Sequence, residues 1–341
     1  MIATPTPCPS KSHSQKTMNK NLLYISFAGA VTLAANCFAE EGGSAHYMPG
    51  TTASFIDAFP GSPGSMAVLN YFTYYDAKAP INLRLPIGGL LSTEIKATAY
   101  ADTIAAVYQP KVSVLNGGLA FGLAVPYVWL DVQGQAQRIS PAGVPGPVFG
   151  AKDSADGIGD LTIIPFMLGW TNLVPDLKLD TRLSIYAPSG DYEAGQLANV
   201  GKNYWSFEPG VMASWLSSKI GTEVSLFTGI DFNTENGATD YQSGNSLHLD
   251  LTVAQHLPLL GGFIGIGANG FYYQQISGDS GPGARLGDFE GRTIGIGPVV
   301  SYVRPIGQKM QFLSEVKWLP ELDVDKRMKG DYVWVKIGLT F

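Results

Sequence analysis

His248 and His256 are, by residue type, the best candidates in this chain for a metal ligand or a general base, and their spacing speaks against both roles. They lie eight residues apart in the segment 247–256, where Leu247, Leu249, Leu251 and Val253 alternate with His248, Asp250, Thr252 and Ala254. In an extended strand equal parity puts both rings on one face but about 26 Å apart, too far to share an ion. His46 stands in an irregular stretch, and no serine can be named as its partner in a hydrolytic site. Gly265-Ile266-Gly267-Ala268-Asn269-Gly270 matches the dinucleotide fingerprint letter for letter. That chemistry needs a helix to start at the glycines so that backbone N–H groups meet a pyrophosphate, and here a strand pattern runs on into Phe271 and Gln275. We therefore expect no catalytic residue, no metal, no cofactor and no enzymatic activity.

The charges that remain share a parity. Lys178, Asp180, Arg182, Glu208, Glu223, Asp231, His248, Asp250, Glu315 and Lys317 all fall on the polar face of alternating segments. Two roles suit them: salt bridges across strands that fill a narrow interior and fix its register, or a polar pathway for a solute. Asp160, Tyr192, Asn203, Tyr204 and Tyr273 fall where a ligand would gain access from the outer side, with pinning of the loops as the competing role.

Such a face requires strands. Val333, Val335, Ile337, Leu339 and Phe341 share one parity at the C-terminus, and Tyr332, Trp334, Lys336, Gly338 and Thr340 the other. One face is wholly apolar and one is mixed, as for a strand between lipid and a watery lumen. Similar segments of about ten residues recur from Ser65 onward, several with Gly or Ala on the inner parity. Short connections near 110–117, 172–176, 217–219, 257–262 and 305–308 alternate with long ones near 77–91, 134–156, 188–202, 233–244, 277–291 and 321–330. That asymmetry predicts an all-β fold over residues 65–341, a transmembrane antiparallel up-and-down β-barrel of about twelve strands. Composition agrees: 15% charged residues is low against about 25% in soluble domains, and 41 glycines and 11% aromatics are high. The expected surroundings are outer-membrane lipid, and Phe341 above alternating apolar residues resembles the tag read by the barrel-insertion machinery.

Residues 40–64 carry Pro49-Gly50, Pro60-Gly61 and Pro63-Gly64 and read as an irregular N-terminal tail or a lumen plug. Residues 1–39 read as a signal peptide, with Lys20 before the apolar run 22–35, a cleavage site before Glu40, and residues 1–17 as an upstream start-site artefact. Cleavage removes Cys8 and Cys37, and with Lys11, Lys16 and Lys20 gone it leaves 19 basic against 28 acidic residues. A formal charge of −9 with no basic stripe argues against nucleic acid as a partner.

A set of motifs then carries a family resemblance. Gly42-Gly43-Ser44-Ala45-His46-Tyr47-Met48-Pro49-Gly50, Gly157-Ile158-Gly159-Asp160, Pro188-Ser189-Gly190-Asp191-Tyr192 and Leu197–Pro209 come in order, followed by Asp231–Asn236, Tyr272–Gln275 and Gly295-Ile296-Gly297-Pro298. Together they resemble the outer-membrane transporter family of the meta-pathway of phenol degradation, over nearly the whole exported chain. The resemblance implies a single barrel in the outer membrane of a Gram-negative bacterium that passes small hydrophobic or aromatic compounds. The expected function is therefore passive uptake of such solutes. The alternative is a closed structural or binding barrel whose lumen is plugged by charges.

Overall fold

The computed structural model describes residues 40–341 apart from Pro60, Asn82, Pro141, Ala142, Asn172, Asp288 and Phe289. The expected signal peptide, residues 1–39, lies outside the described residues. Twelve antiparallel strands close into one barrel. They are β1 (Met66–Lys78), β2 (Leu90–Tyr108), β3 (Gly117–Ile139), β4 in two pieces (Pro145–Ile158 and Leu161–Thr171), β5 (Leu177–Ala187) and β6 (Ser206–Leu216), then β7 (Thr222–Asn233), β8 (Ser246–Leu259), β9 (Gly262–Gln275), β10 (Arg292–Ile306), β11 (Met310–Asp325) and β12 (Lys329–Thr340). Neighbours in sequence pair in space, and β1 closes on β12 from Ala67↔Thr340 to Lys78↔Lys329. Closure leaves no row of unpaired N–H and C=O groups along an edge, which is what lets strands sit in lipid.

The alternation sets which face is which. On β8, His248, Asp250, Thr252, Ala254 and His256 are buried while Leu249, Leu251, Val253 and Leu257 are exposed. On β12, Tyr332, Trp334 and Lys336 are buried and Ile337 and Leu339 exposed. Polar groups inside and large apolar ones outside reverse the order of a water-soluble protein, and suit a barrel whose outer solvent is hydrocarbon. The Gly265–Gly270 run lies inside β9, with no helix.

The connections sort to two ends. Connections of two to eight residues join β2 to β3, β4 to β5, β6 to β7, β8 to β9 and β10 to β11, and the four connections of eleven residues or more all lie at the opposite end. The expected long connection 134–156 is corrected: β3 runs to Ile139 and β4 begins at Pro145, with Gln133↔Lys152 and Gln137↔Val148 still in register. The expected loop 321–330 shortens in the same way, since β11 reaches Asp325 and β12 starts at Lys329. Both strand pairs outrun their apolar band. With water on both faces the hydropathy alternation fades, while the ladder hydrogen bonds continue.

Candidate functional site: the lumen

The interior has two unlike walls. The inward faces of β5 to β8 and of β11 carry the charges singled out above. Asp180, Arg182, Glu208, Glu223, Asp231, His248, Asp250, Glu315 and Lys317 are all buried, and Lys178 is half-buried. Their partners lie less across strands than along residues 40–59. Lys317 Nζ donates to the carbonyls of Gly50 (3.0 Å) and Thr52 (2.8 Å). Asp250 accepts from the Gly50 N–H at 3.1 Å and from the Tyr47 hydroxyl. The Phe55 N–H donates to Glu223 at 2.7 Å, and the Phe59 N–H to Asp180 at 3.2 Å. Arg182, paired with Asp180 at 2.7 Å, reaches the Asp57 carbonyl. An irregular backbone without its own ladder has unpaired donors and acceptors, and these side chains satisfy them.

Towards the loop end the segment is held by residues of the connections. Glu40 pairs with Arg327 at 2.9 Å and accepts from Ser246 and Tyr273. Glu41 accepts from Tyr192 (2.9 Å) and Asn236 (2.7 Å), and burial pushes its carboxyl above the ordinary value against these donors. His46 bridges Asp160 through Nε2 (2.9 Å) and Ser206 through Nδ1 (2.7 Å), stacked on Tyr186. Burial pushes the His46 imidazole below its usual pKa, against the pull of the Asp160 hydrogen bond. Burial alone would raise Asp160. The His46 contact and the N–H groups of Gly190 (2.9 Å) and Lys202 (2.7 Å) bring it below the usual carboxylate range instead. The Gly157–Asp160 motif thus interrupts β4 and ties the connection 188–205 to the N-terminal segment.

The other wall, β1 to β4, is apolar. Its inward residues include Leu69, Ala97, Ala101, Ala105, Ala124 and Val128, and beside them runs a cavity of about 1190 Å³. It is lined at the loop end by Gly88, Asn199 and Val200 and at the turn end by Gln109, Asp176 and Lys309, so it extends along the barrel. Strands of 13 residues such as β1, rising ~3.4 Å per residue and tilted ~40°, span roughly 34 Å. A volume of about 1190 Å³ exceeds the roughly 300–1,000 Å³ of small-molecule pockets, so a single-ring aromatic compound fits within it.

Of the residues expected at the point of ligand access, Asp160 and Tyr192 line this cavity. Asn203 donates to Asn236 at 2.6 Å, and Tyr204 and Tyr273 are fully buried among residues that hold the segment. Sequence reasoning missed the segment's other anchors: Lys202, Arg327 and Lys336, the last 2.5 Å from Asp57. Lys336 was legible from its inward parity on β12, whereas Lys202 and Arg327 sit on connections with no period to read. The structure also brings Glu208, Asp231 and His248 together, with one ligand atom of each within 4.8 Å of the others.

Comparison with known proteins agrees with this geometry. The family model described as "Putative MetA-pathway of phenol degradation" matches residues 83–337. Among solved structures, an outer-membrane channel from Pseudomonas putida F1 is similar in fold, with a TM-score of 0.56 at 15% identity over 86% of this chain and 100% of that one. The β domain of the Bordetella autotransporter BrkA gives 0.47 at 12% identity (82% and 99% covered), and a Pseudomonas aeruginosa FadL homologue 0.39 at 9% (82% and 90%). Among curated proteins the sequence finds no match. The fold is that of an outer-membrane β-barrel, and the chain belongs to the MetA-pathway family of phenol degradation.

Proposed function

We propose that the protein is an outer-membrane channel through which small hydrophobic or aromatic compounds diffuse passively, with residues 40–64 seated in the lumen as a plug on its polar wall. The observation that carries this reading is the cavity that extends along the barrel, bounded on its β1-to-β4 side mostly by small apolar residues and on the other by the N-terminal segment and polar side chains such as Lys178, Arg182 and Glu208. The apolar side offers a solute no strong site in which to stall, which favours passage over storage. The phenol-degradation description of the family supports an aromatic solute, and the exposed apolar outer face supports a place in the outer membrane of a Gram-negative bacterium.

The test is uptake of labelled phenol or toluene, at limiting concentration, by Gram-negative cells stripped of their own channels for it. Expression of the wild-type chain should raise the rate. Ala101→Phe and Ala105→Phe, which place rings in the cavity, should cut it several-fold at equal membrane levels. Uptake no faster than with an empty vector would refute transport and favour a closed binding barrel. The hydrogen bonds of Lys178, Asp180, Arg182, Glu223, Asp250 and Lys317 to residues 40–59 are the observation on that side.

A further inference from the structure

We infer that Glu208, Asp231 and His248 form a buried site for one divalent transition-metal ion. The three residues come from adjacent strands, β6, β7 and β8, and all point inward. Glu208 and Asp231 are 1% exposed and His248 0%. Register brings them together: Gly229 of β7 stands opposite His248 on one side and Gly210 on the other. A Cβ at Gly229 would lie 2.7 Å from His248 Nε2 and 3.2 Å from Glu208 Cγ. The glycine therefore leaves open the space into which these side chains converge.

Apart from the Glu208–His248 contact and the Tyr186 hydroxyl on Glu208, polar partners are missing there. Neither oxygen of Asp231 and neither ring nitrogen of His248 has a hydrogen bond. Glu208 Oε1 is 3.3 Å from His248 Nε2, outside hydrogen-bond alignment. Its other oxygen accepts from the Tyr186 hydroxyl at 2.5 Å, which turns Oε1 towards the ring. Arg182 is committed to Asp180 and to the Asp57 carbonyl. Two carboxylates out of water beside one imidazole need positive charge between them, since a bare buried carboxylate is among the most expensive groups a fold can hold.

The donor set selects the ion. Ligands at about 2.0–2.2 Å in a tetrahedral shell stand roughly 3.4 Å apart. The Glu208–His248 pair already has that spacing, and Asp231 needs only a small side-chain adjustment from within 4.8 Å. One imidazole nitrogen with two carboxylate oxygens suits Zn²⁺, Mn²⁺ or Fe²⁺ better than Mg²⁺ or Ca²⁺, which take oxygen shells. The Tyr186–Glu208 hydrogen bond orients a ligand as outer-shell partners do in metal sites. Tyr47 stacks on the His248 ring at 3.6 Å between centroids, so the N-terminal segment covers the ion from the lumen side. A bound ion would hold three wall strands and this cover together.

The experiment uses the full mature chain, without an affinity tag, purified in detergent, stripped with chelator and titrated with Zn²⁺, Mn²⁺, Co²⁺ or Mg²⁺. Expected are one equivalent of Zn²⁺ bound per chain, a rise in Tm of a few degrees by linkage, and Co²⁺ d–d absorption of a low-coordinate N/O site. Asp231→Asn and His248→Gln should each weaken Zn²⁺ binding at least 100-fold. Substoichiometric binding with no Tm change would overturn the proposal, leaving protons as the counter-charge. So would unchanged affinity in the Glu208→Gln, Asp231→Asn double variant, or a preference for Mg²⁺. Should the variants fail to fold, the wild-type stoichiometry and the Co²⁺ spectrum still decide.

Discussion

Lys317 is the clearest place to ask whether the lumen charges serve the wall or the segment lying along it. Its side chain is 1% exposed on β11, and Nζ donates to Gly50 O at 3.0 Å and Thr52 O at 2.8 Å while pairing with Glu315 at 3.3 Å. Lys317→Met keeps the length of the stem and removes the ammonium. Each lost bond involves a charged donor and is worth about 1.5–3 kcal/mol, so the two set a ceiling of about 6 kcal/mol. Two effects lower it. Lys336 remains 3.3 Å from Glu315 and 3.4 Å from Thr51 O, and Thr52 lines the cavity, where water can reach a freed carbonyl. A net loss of about 2–4 kcal/mol remains, which raises the opening equilibrium of the turn 48–52 by about 30- to 700-fold. Hydrogen exchange measured by mass spectrometry should show this acceleration in peptides from 44–56, with strand peptides unchanged. Single-channel recordings should show more frequent open events. Unaltered exchange in a barrel that still runs folded on an unheated gel would refute the reasoning. Loss of the folded barrel altogether would refute it too, by assigning Lys317 to the wall.

Gly50→Ala attacks the same turn without touching a charge: φ is +85° and the added Cβ would lie 2.2 Å from Leu319 Cδ1, so strain and overlap should loosen 48–52 by about 2–4 kcal/mol, read as faster exchange there. Acid should loosen the loop end of the segment. Because burial lowers the His46 pKa, its contribution is fully present above about 6.5, the value for the unfolded chain, and is lost as pH falls from there through the lowered pKa. Asp160, Lys202 and Glu40 are the charged groups that act on it. Exchange of peptides around residues 44–48, corrected for intrinsic rate, should therefore rise between pH 7.5 and 5, and His46→Gln should flatten that dependence. Equal protection at both pH values would contradict it. Leu251→Arg on the exposed face of β8 should cost about 2–4 kcal/mol in equilibrium unfolding from lipid vesicles, and an unchanged midpoint would deny that this face meets hydrocarbon.

The barrel was legible because its information is local. A period of two, read over ten residues, separates Leu249 and Leu251 from His248 and Asp250 without knowledge of any neighbour. Residues 40–59 give no such signal, because what holds them is backbone meeting side chains far away in the chain, as in the pairing of Asp57 with Lys336, 279 residues on. The side chains that do this work are visible by parity; their targets are not. The His248–His256 argument shows the same boundary from another side. It holds along one strand, where the two rings point to different partners, Glu208 and Glu223. It says nothing across strands, where Glu208, Asp231 and His248 meet only once Gly229 is set opposite both Gly210 and His248. Slipping β7 by one residue would turn Asp231 and Glu223 out to the lipid and bring Leu226 and Ile230 in. The burial of these carboxylates in lumen rather than hydrocarbon therefore enforces the register, and the register in turn builds whatever site the three strands share.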